Sequence, residues 1–160
     1  MVELPFPGLR RPPDPTVPLS SVLAGVGDGW REAAGQDANA LPVHVQWDPL
    51  AASLAPVAGF DIQVAVAVPL VVAGDDGLPT PAEERRLVDV GEAVRASIER
   101  AERARLVLVI TTAGVREYVG YSDDDAWLAG WAAEITAAVS GAQVMSRRDP
   151  GWTTLLHSIP

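Results

Sequence analysis

Phe60-Asp61-Ile62-Gln63-Val64-Ala65-Val66-Ala67-Val68-Pro69 is the stretch that decides the fold. In an extended chain Phe60, Ile62, Val64, Val66 and Val68 point one way, and Asp61, Gln63, Ala65 and Ala67 point the other. Pro69 marks the end of the strand, because it has no N–H to give to a ladder. Downstream, Thr80-Pro81-Ala82-Glu83 predicts a helix start. Thr80 caps, Pro81 takes the first helical position, and Glu83 completes a capping box. Leu87, Val90, Val94, Ile98 and Ala101 form its buried stripe, which predicts a helix to about Ala104. Leu106 to Thr111 reads as a second strand, Ala113-Gly114 as a turn, and Val115 to Tyr121 as a third strand. Ser122 and Asp125 predict the cap of a second helix, from about Asp123 to Val139, and Ala142 to Arg147 a last strand. The order strand, helix, strand, strand, helix, strand over residues 60–148 specifies a ferredoxin-like α+β sandwich. Such a fold is an antiparallel sheet with two helices on one face.

Upstream of this core, Trp30 to Trp47 predicts a β-hairpin packed on the main domain, turning at Gly35 to Asn39. In its second strand Val43, Val45 and Trp47 alternate with His44, Gln46 and Asp48. Residues 20–59 thus hold a short turn and the hairpin, and 49–59 read as a loop with Pro49, Pro56 and Gly59. Residues 1–19 read as an extended tail, since Pro5, Pro7, Pro12, Pro13, Pro15 and Pro18 forbid helix and central strand there. Gly25-Val26-Gly27-Asp28-Gly29 lacks the Lys-Ser/Thr of a phosphate loop and reads as a flexible junction. Residues 149–160, from Asp149-Pro150-Gly151-Trp152 onward, read as a C-terminal tail.

Charge and composition exclude several functions. The chain has 21 acidic residues against 12 basic ones, a net charge of −9, so a basic face for nucleic-acid phosphate is not expected. All the basic residues are arginine, a composition expected of a GC-rich bacterial genome. The absence of cysteine rules out disulfides, thiolate metal sites and thiol nucleophiles, and fits a cytoplasmic protein. Its N-terminal residues lack the basic-then-apolar pattern of a signal peptide, and no apolar run is long enough to span a bilayer.

Two acidic loops are the main candidates for chemistry. Asp75 and Asp76 follow the first strand of the core, and Asp123, Asp124 and Asp125 follow the third. With those two strands taken as parallel central neighbours, five carboxylates would meet at one sheet edge, where Mg²⁺ or Ca²⁺ finds oxygen ligands. That supports a metal-dependent hydrolase or small-ligand site. Magnitudes favour a plainer role. Exposed carboxylates about 7 Å apart repel by about 0.6–1.2 kcal/mol, whereas a helix cap contributes ~1 kcal/mol and an acid near a helix N-terminus about 0.3–1 kcal/mol. Helix starts therefore account for most of these acids with no cofactor or metal. Tyr118 and Tyr121 lie on opposite faces of the third strand and are candidate surface aromatics, with Tyr118 covered by the hairpin. His44 and His157, the two imidazoles, have no nucleophile or metal-ligand spacing around them.

Asp76-Gly77-Leu78-Pro79 followed by Glu83-Glu84, then Gly114-Val115-Arg116-Glu117-Tyr118-Val119-Gly120-Tyr121, then Asp149-Pro150-Gly151-Trp152, resembles the bacterial family of domain of unknown function 695. The resemblance covers about residues 28–156 and implies no established activity. It also implies kinship of some members with a regulator of ribonuclease E activity, a small acidic ferredoxin-like protein that binds that enzyme. The expectation is a cytoplasmic, non-enzymatic protein-binding or regulatory module. A protein partner and a homodimer through a sheet edge are both expected of it; direct binding to nucleic acid or membrane is not.

Overall fold

The computed structural model describes residues 29–160; the Pro-rich stretch, the 20–26 turn and most of the glycine junction lie outside the described residues. Six strands, β1 (Arg31–Gln36), β2 (Pro42–Trp47), β3 (Ile62–Pro69), β4 (Ala104–Thr112), β5 (Val115–Ser122) and β6 (Gln143–Arg148), form one sheet in the order β1-β2-β4-β5-β3-β6. Every pairing is antiparallel. The run β4-β5-β3-β6 is the ferredoxin-like core, and the α+β class expected from element order is what the chain adopts. The β1–β2 hairpin does not cover a face. It extends the sheet sideways by pairing β2 with β4.

Long helices α2 (Pro81–Arg100) and α3 (Leu128–Ala138) lie on one side of the sheet. There Val64, Val66 and Val68 of β3 meet Leu87, Val94 and Ile98 of α2 and Trp131 and Ile135 of α3. The opposite side carries short helices α1 (Pro49–Leu54) and α4 (Thr153–Ser158). Its core joins Trp47, Ala65, Val119 and Tyr121 to Ala51, Trp152 and Leu155. β3 is thus buried on both faces, which is why its small outward residue is Ala65 rather than a charge. Phe60 does not share the valine row. β3 begins two residues later, and the turn through Gly59 (φ 85°) swings Phe60 into the second core.

Local chemistry explains where most elements start. Thr80 accepts from the Glu83 N–H at 3.3 Å, and Pro81 opens α2. Glu83 does not close the box; its carboxylate accepts from the Val71 N–H at 2.8 Å and from Arg86. Asp48 caps α1 by accepting from Leu50 and Ala51, with Pro49 at the first position, so residues expected in a loop form a helix. The expected start of α3 at Asp123 is corrected to Leu128. Ser122 stays in β5, where its hydroxyl lies 2.7 Å from the Arg103 carbonyl, and no side chain caps α3. Between β4 and β5 the register slips at Leu106/Leu108. This bulge turns Val107 and Leu108 both toward the second core, and the Val107 carbonyl accepts from the Asp48 N–H that precedes α1.

Candidate functional site

The strand directions decide the fate of the acidic loops. β3 and β5 are central neighbours but antiparallel, Ile62 opposite Ser122 and Pro69 opposite Val115. Their C-terminal ends therefore lie at opposite ends of the sheet, correcting the parallel arrangement. With eight residues in β5 at about 3.4 Å each, Asp75-Asp76 and Asp123-Asp124-Asp125 stand on the order of 25 Å apart. Each loop uses its acids locally. Asp76 accepts from the Leu78 N–H at 3.0 Å. Asp123 pairs with Arg103 at 2.9 Å, and Asp124 accepts from the Ala126 N–H. Among the described residues no group of three or more His, Asp or Glu is placed to hold a metal ion.

The two tyrosines are on opposite faces, but neither is a surface aromatic. Tyr118 lies beneath α2, not beneath the hairpin. Its hydroxyl donates to the Leu87 carbonyl at 3.2 Å, its ring fits where Gly91 has no side chain, and burial raises its pKa. Tyr121 is fully buried on the other side, stacked on Trp152 with centroids 4.1 Å apart, and donates to Asp149 at 2.7 Å. Beside Tyr118, buried Arg116 holds Glu84 of α2 in a bidentate pair at 2.8 and 2.9 Å and donates from Nε to Thr111. That array fastens α2 to β4 and β5. His44 pairs across strands with Thr111 and lies 3.4 Å from Glu32, a partly exposed contact at the hairpin. His157 is exposed in the last turn of α4.

The end of the sheet where β3 finishes has a different character. The segment 70–80 is clasped to the β4–β5 turn. Leu70 N–H donates to the Gly114 carbonyl and Gly114 N–H to the Gly77 carbonyl, each at 2.8 Å, while Gly74 N–H reaches the Leu78 carbonyl at 2.7 Å. Ala73 and Pro79 form a β-bridge. Gly77 has φ 77°, and a Cβ there would stand 3.1 Å from the Ala113 Cα. Glu83 ties down the Val71 backbone, and Arg86 holds its carboxyl below the usual range against the opposing effect of burial. Yet Val71 and Val72 are 74% and 51% exposed. Leu41 and Val115 are exposed at the same end, and Asp75 and Asp76 flank it. Sequence reasoning passed over these valines because their clasp joins residues 114 and 77, too far apart in the chain for a local signal.

The family model for a family of unknown function, DUF695, matches residues 28–157. The chain belongs to the DUF695 family. No curated protein and no solved structure matches it. The motifs that carried the resemblance now have positions. Asp76-Gly77-Leu78-Pro79 and Gly114 build the clasp; Glu83, Glu84 and Arg116 anchor α2; and Asp149 with Trp152 closes the second core. In this DUF695 chain, then, the motif residues are mostly architectural, and the clasped end gathers four of the exposed large apolar residues, Leu41, Val71, Val72 and Val115, with Val88, Met145 and Leu156 exposed elsewhere. Among the described residues no helix is long and apolar enough to cross a membrane.

Proposed function

We propose that this chain is a non-enzymatic, cytoplasmic binding or regulatory module that docks a protein partner at the clasped end of its sheet. One observation carries the reading: Val71 and Val72 are exposed on a backbone that is pinned at Leu70, Val71, Gly74, Gly77 and Gly114. Apolar side chains on a pinned segment lose little entropy on binding, and such preorganisation is where affinity is gained. Asp75 and Asp76 beside them favour a partner with an apolar pocket edged by Lys or Arg. The absence of cysteine accords with a reducing compartment. The test compares proteins captured from the source organism's lysate by the wild-type chain and by Val71→Ser/Val72→Ser. Exposed substitutions of this kind shift stability by roughly 0.5 kcal/mol or less, so the variant stays folded. The expected result is a partner captured by the wild type and lost in the variant; identical capture by both would refute this surface.

A further inference from the structure

At the other end of the sheet a cleft of about 220 Å³ opens between the C-terminal end of α2 and the start of α3. Trp127 and Trp131 form two of its walls, with ring centroids 5.3 Å apart and planes at 57°. Ser97 and Ala101 also line it, as do Arg100 and Glu134, which pair at 2.9 Å.

Both indole N–H groups are already used inward. Trp131 Nε1 donates to Ser97 Oγ at 3.0 Å, and Trp127 Nε1 lies 2.9 Å from the Asp124 carbonyl and 3.0 Å from Ser122 Oγ. With both N–H groups taken, the tryptophans offer the cleft carbon surface alone, chiefly from Trp127, since Trp131 is 5% exposed; an indole ring attracts cations through the negative quadrupole of its π face. The surroundings have the same preference. Asp123, Asp124 and Asp125 precede Trp127 by two to four residues, Glu102 follows Ala101, and Glu134 lines the cleft; Arg100 and Arg103 oppose these five acids. The volume also limits the occupant. A cofactor or substrate pocket takes roughly 300–1,000 Å³, so this cleft has room for one long side chain and little more.

We propose that the Trp127–Trp131 cleft receives an arginine side chain of a partner protein. Its guanidinium stacks on the indole of Trp127 and replaces Arg100 as the ion-pair partner of Glu134. Arg100 and Glu134 are 66% and 50% exposed at their side chains. An exposed pair of that kind holds weakly and exchanges readily for an incoming cation. A planar, weakly hydrated guanidinium suits an aromatic wall better than a compact ammonium does. This site stands apart from the Val71–Val72 surface, so either proposal can fail without the other.

The experiment titrates ¹⁵N-labelled protein with the blocked tripeptide acetyl-Gly-Arg-Gly-amide and follows the indole N–H resonances, assigned through Trp127→Phe and Trp131→Phe. Blocked tripeptides carrying Lys, citrulline or Phe in place of Arg serve as comparisons. The expected result is a saturable shift of the Trp127 and Trp131 signals with the Arg peptide, weakened by added salt, and none with citrulline. Glu134→Gln, an exposed change that keeps the fold, should weaken the Arg peptide roughly twofold to fivefold, and Trp127→Ala by at least as much. Unmoved indole signals, equal shifts with citrulline or Phe, or full affinity in Glu134→Gln would each overturn the proposal.

Discussion

Trp152 has no exposed surface, stacks on Tyr121 at 7° between planes, and donates from Nε1 to the Phe60 carbonyl at 2.7 Å. Trp152→Ala removes a ring that three parts of the chain pack against, and should cost about 3–5 kcal/mol, measured as a lower urea midpoint at unchanged slope. Its neighbour Asp149 makes stability depend on pH, as Glu83 does to its own extent. Burial alone would raise the Asp149 pKa, but donors from Thr153, Thr154 and Tyr121 outweigh burial and hold it well below the usual carboxylate range. A folded-state pKa depressed below the unfolded value gives stability that is complete above the unfolded pKa, near 4, and is lost as pH falls toward the folded one. Unfolding free energy should therefore drop progressively below about pH 4, and Asp149→Asn should flatten that limb while lowering stability at neutral pH. An equally steep acid limb in the variant would assign it to other groups. None of this was legible in the sequence. Asp149-Pro150-Gly151-Trp152 is a visible motif, but its partners Tyr121 and Phe60 lie 28 and 92 residues away, and nothing local marks a tail that folds back into a core.

At the scale of elements, what was legible depended on how local the cause was. The alternation of β3 from Ile62 onward and the Thr80-Pro81 start of α2 act within a few residues and both stand, whereas Phe60 in the valine row and the Glu83 half of the capping box do not. Asp48-Pro49 is the same cap-and-first-position signal as Thr80-Pro81, yet Pro56 and Gly59 beside it made the segment look like a loop. The α3 start failed for the opposite reason. Ser122 has cap chemistry, but the Arg103 carbonyl and the Trp127 indole claim its hydroxyl. Two glycines test the links between elements. A Cβ on Gly120 would stand 2.6 Å from the Arg105 carbonyl oxygen in mid-sheet, beside the β4 bulge. Gly120→Ala should cost about 3 kcal/mol, the upper end for overpacking, because sheet backbone on both sides prevents relief. Gly77→Ala meets a positive φ and the β4–β5 turn, for about 1–2 kcal/mol. It should loosen the clasp and reduce partner capture by the Val71–Val72 surface at temperatures where the protein remains folded. Melting curves and capture assays on the same samples separate the two effects.

The whole molecule shows why an element order can be right while its functional geometry is wrong. A strand–helix–strand crossover makes β3 and β4 parallel, and the hairpin that follows reverses β5, so β5 must run against β3. Direction was thus contained in the order, and it sends the two acidic loops to opposite ends, where each adjoins its own apolar feature: the valines at one, the tryptophan cleft at the other. The same view bears on what can fold. Residues 60–148 hold all four strands of the ferredoxin-like core, and of the two cores only the one beneath α2 and α3 lies almost wholly within them, with Trp30 packing on it from outside. The other face needs Trp47 of β2, Ala51 of α1, and Trp152 and Leu155 from the C-terminal segment, all buried against β3, β4 and β5. Without the hairpin, β4 would also become an unpaired edge, the arrangement that invites association with other chains. A 60–148 fragment should therefore lack a cooperative transition and aggregate, whereas 29–160 should unfold in one step. Calorimetry on both fragments checks this: a sharp, concentration-independent transition in 60–148 would show that the helix-side core suffices, and that the second face serves something other than stability.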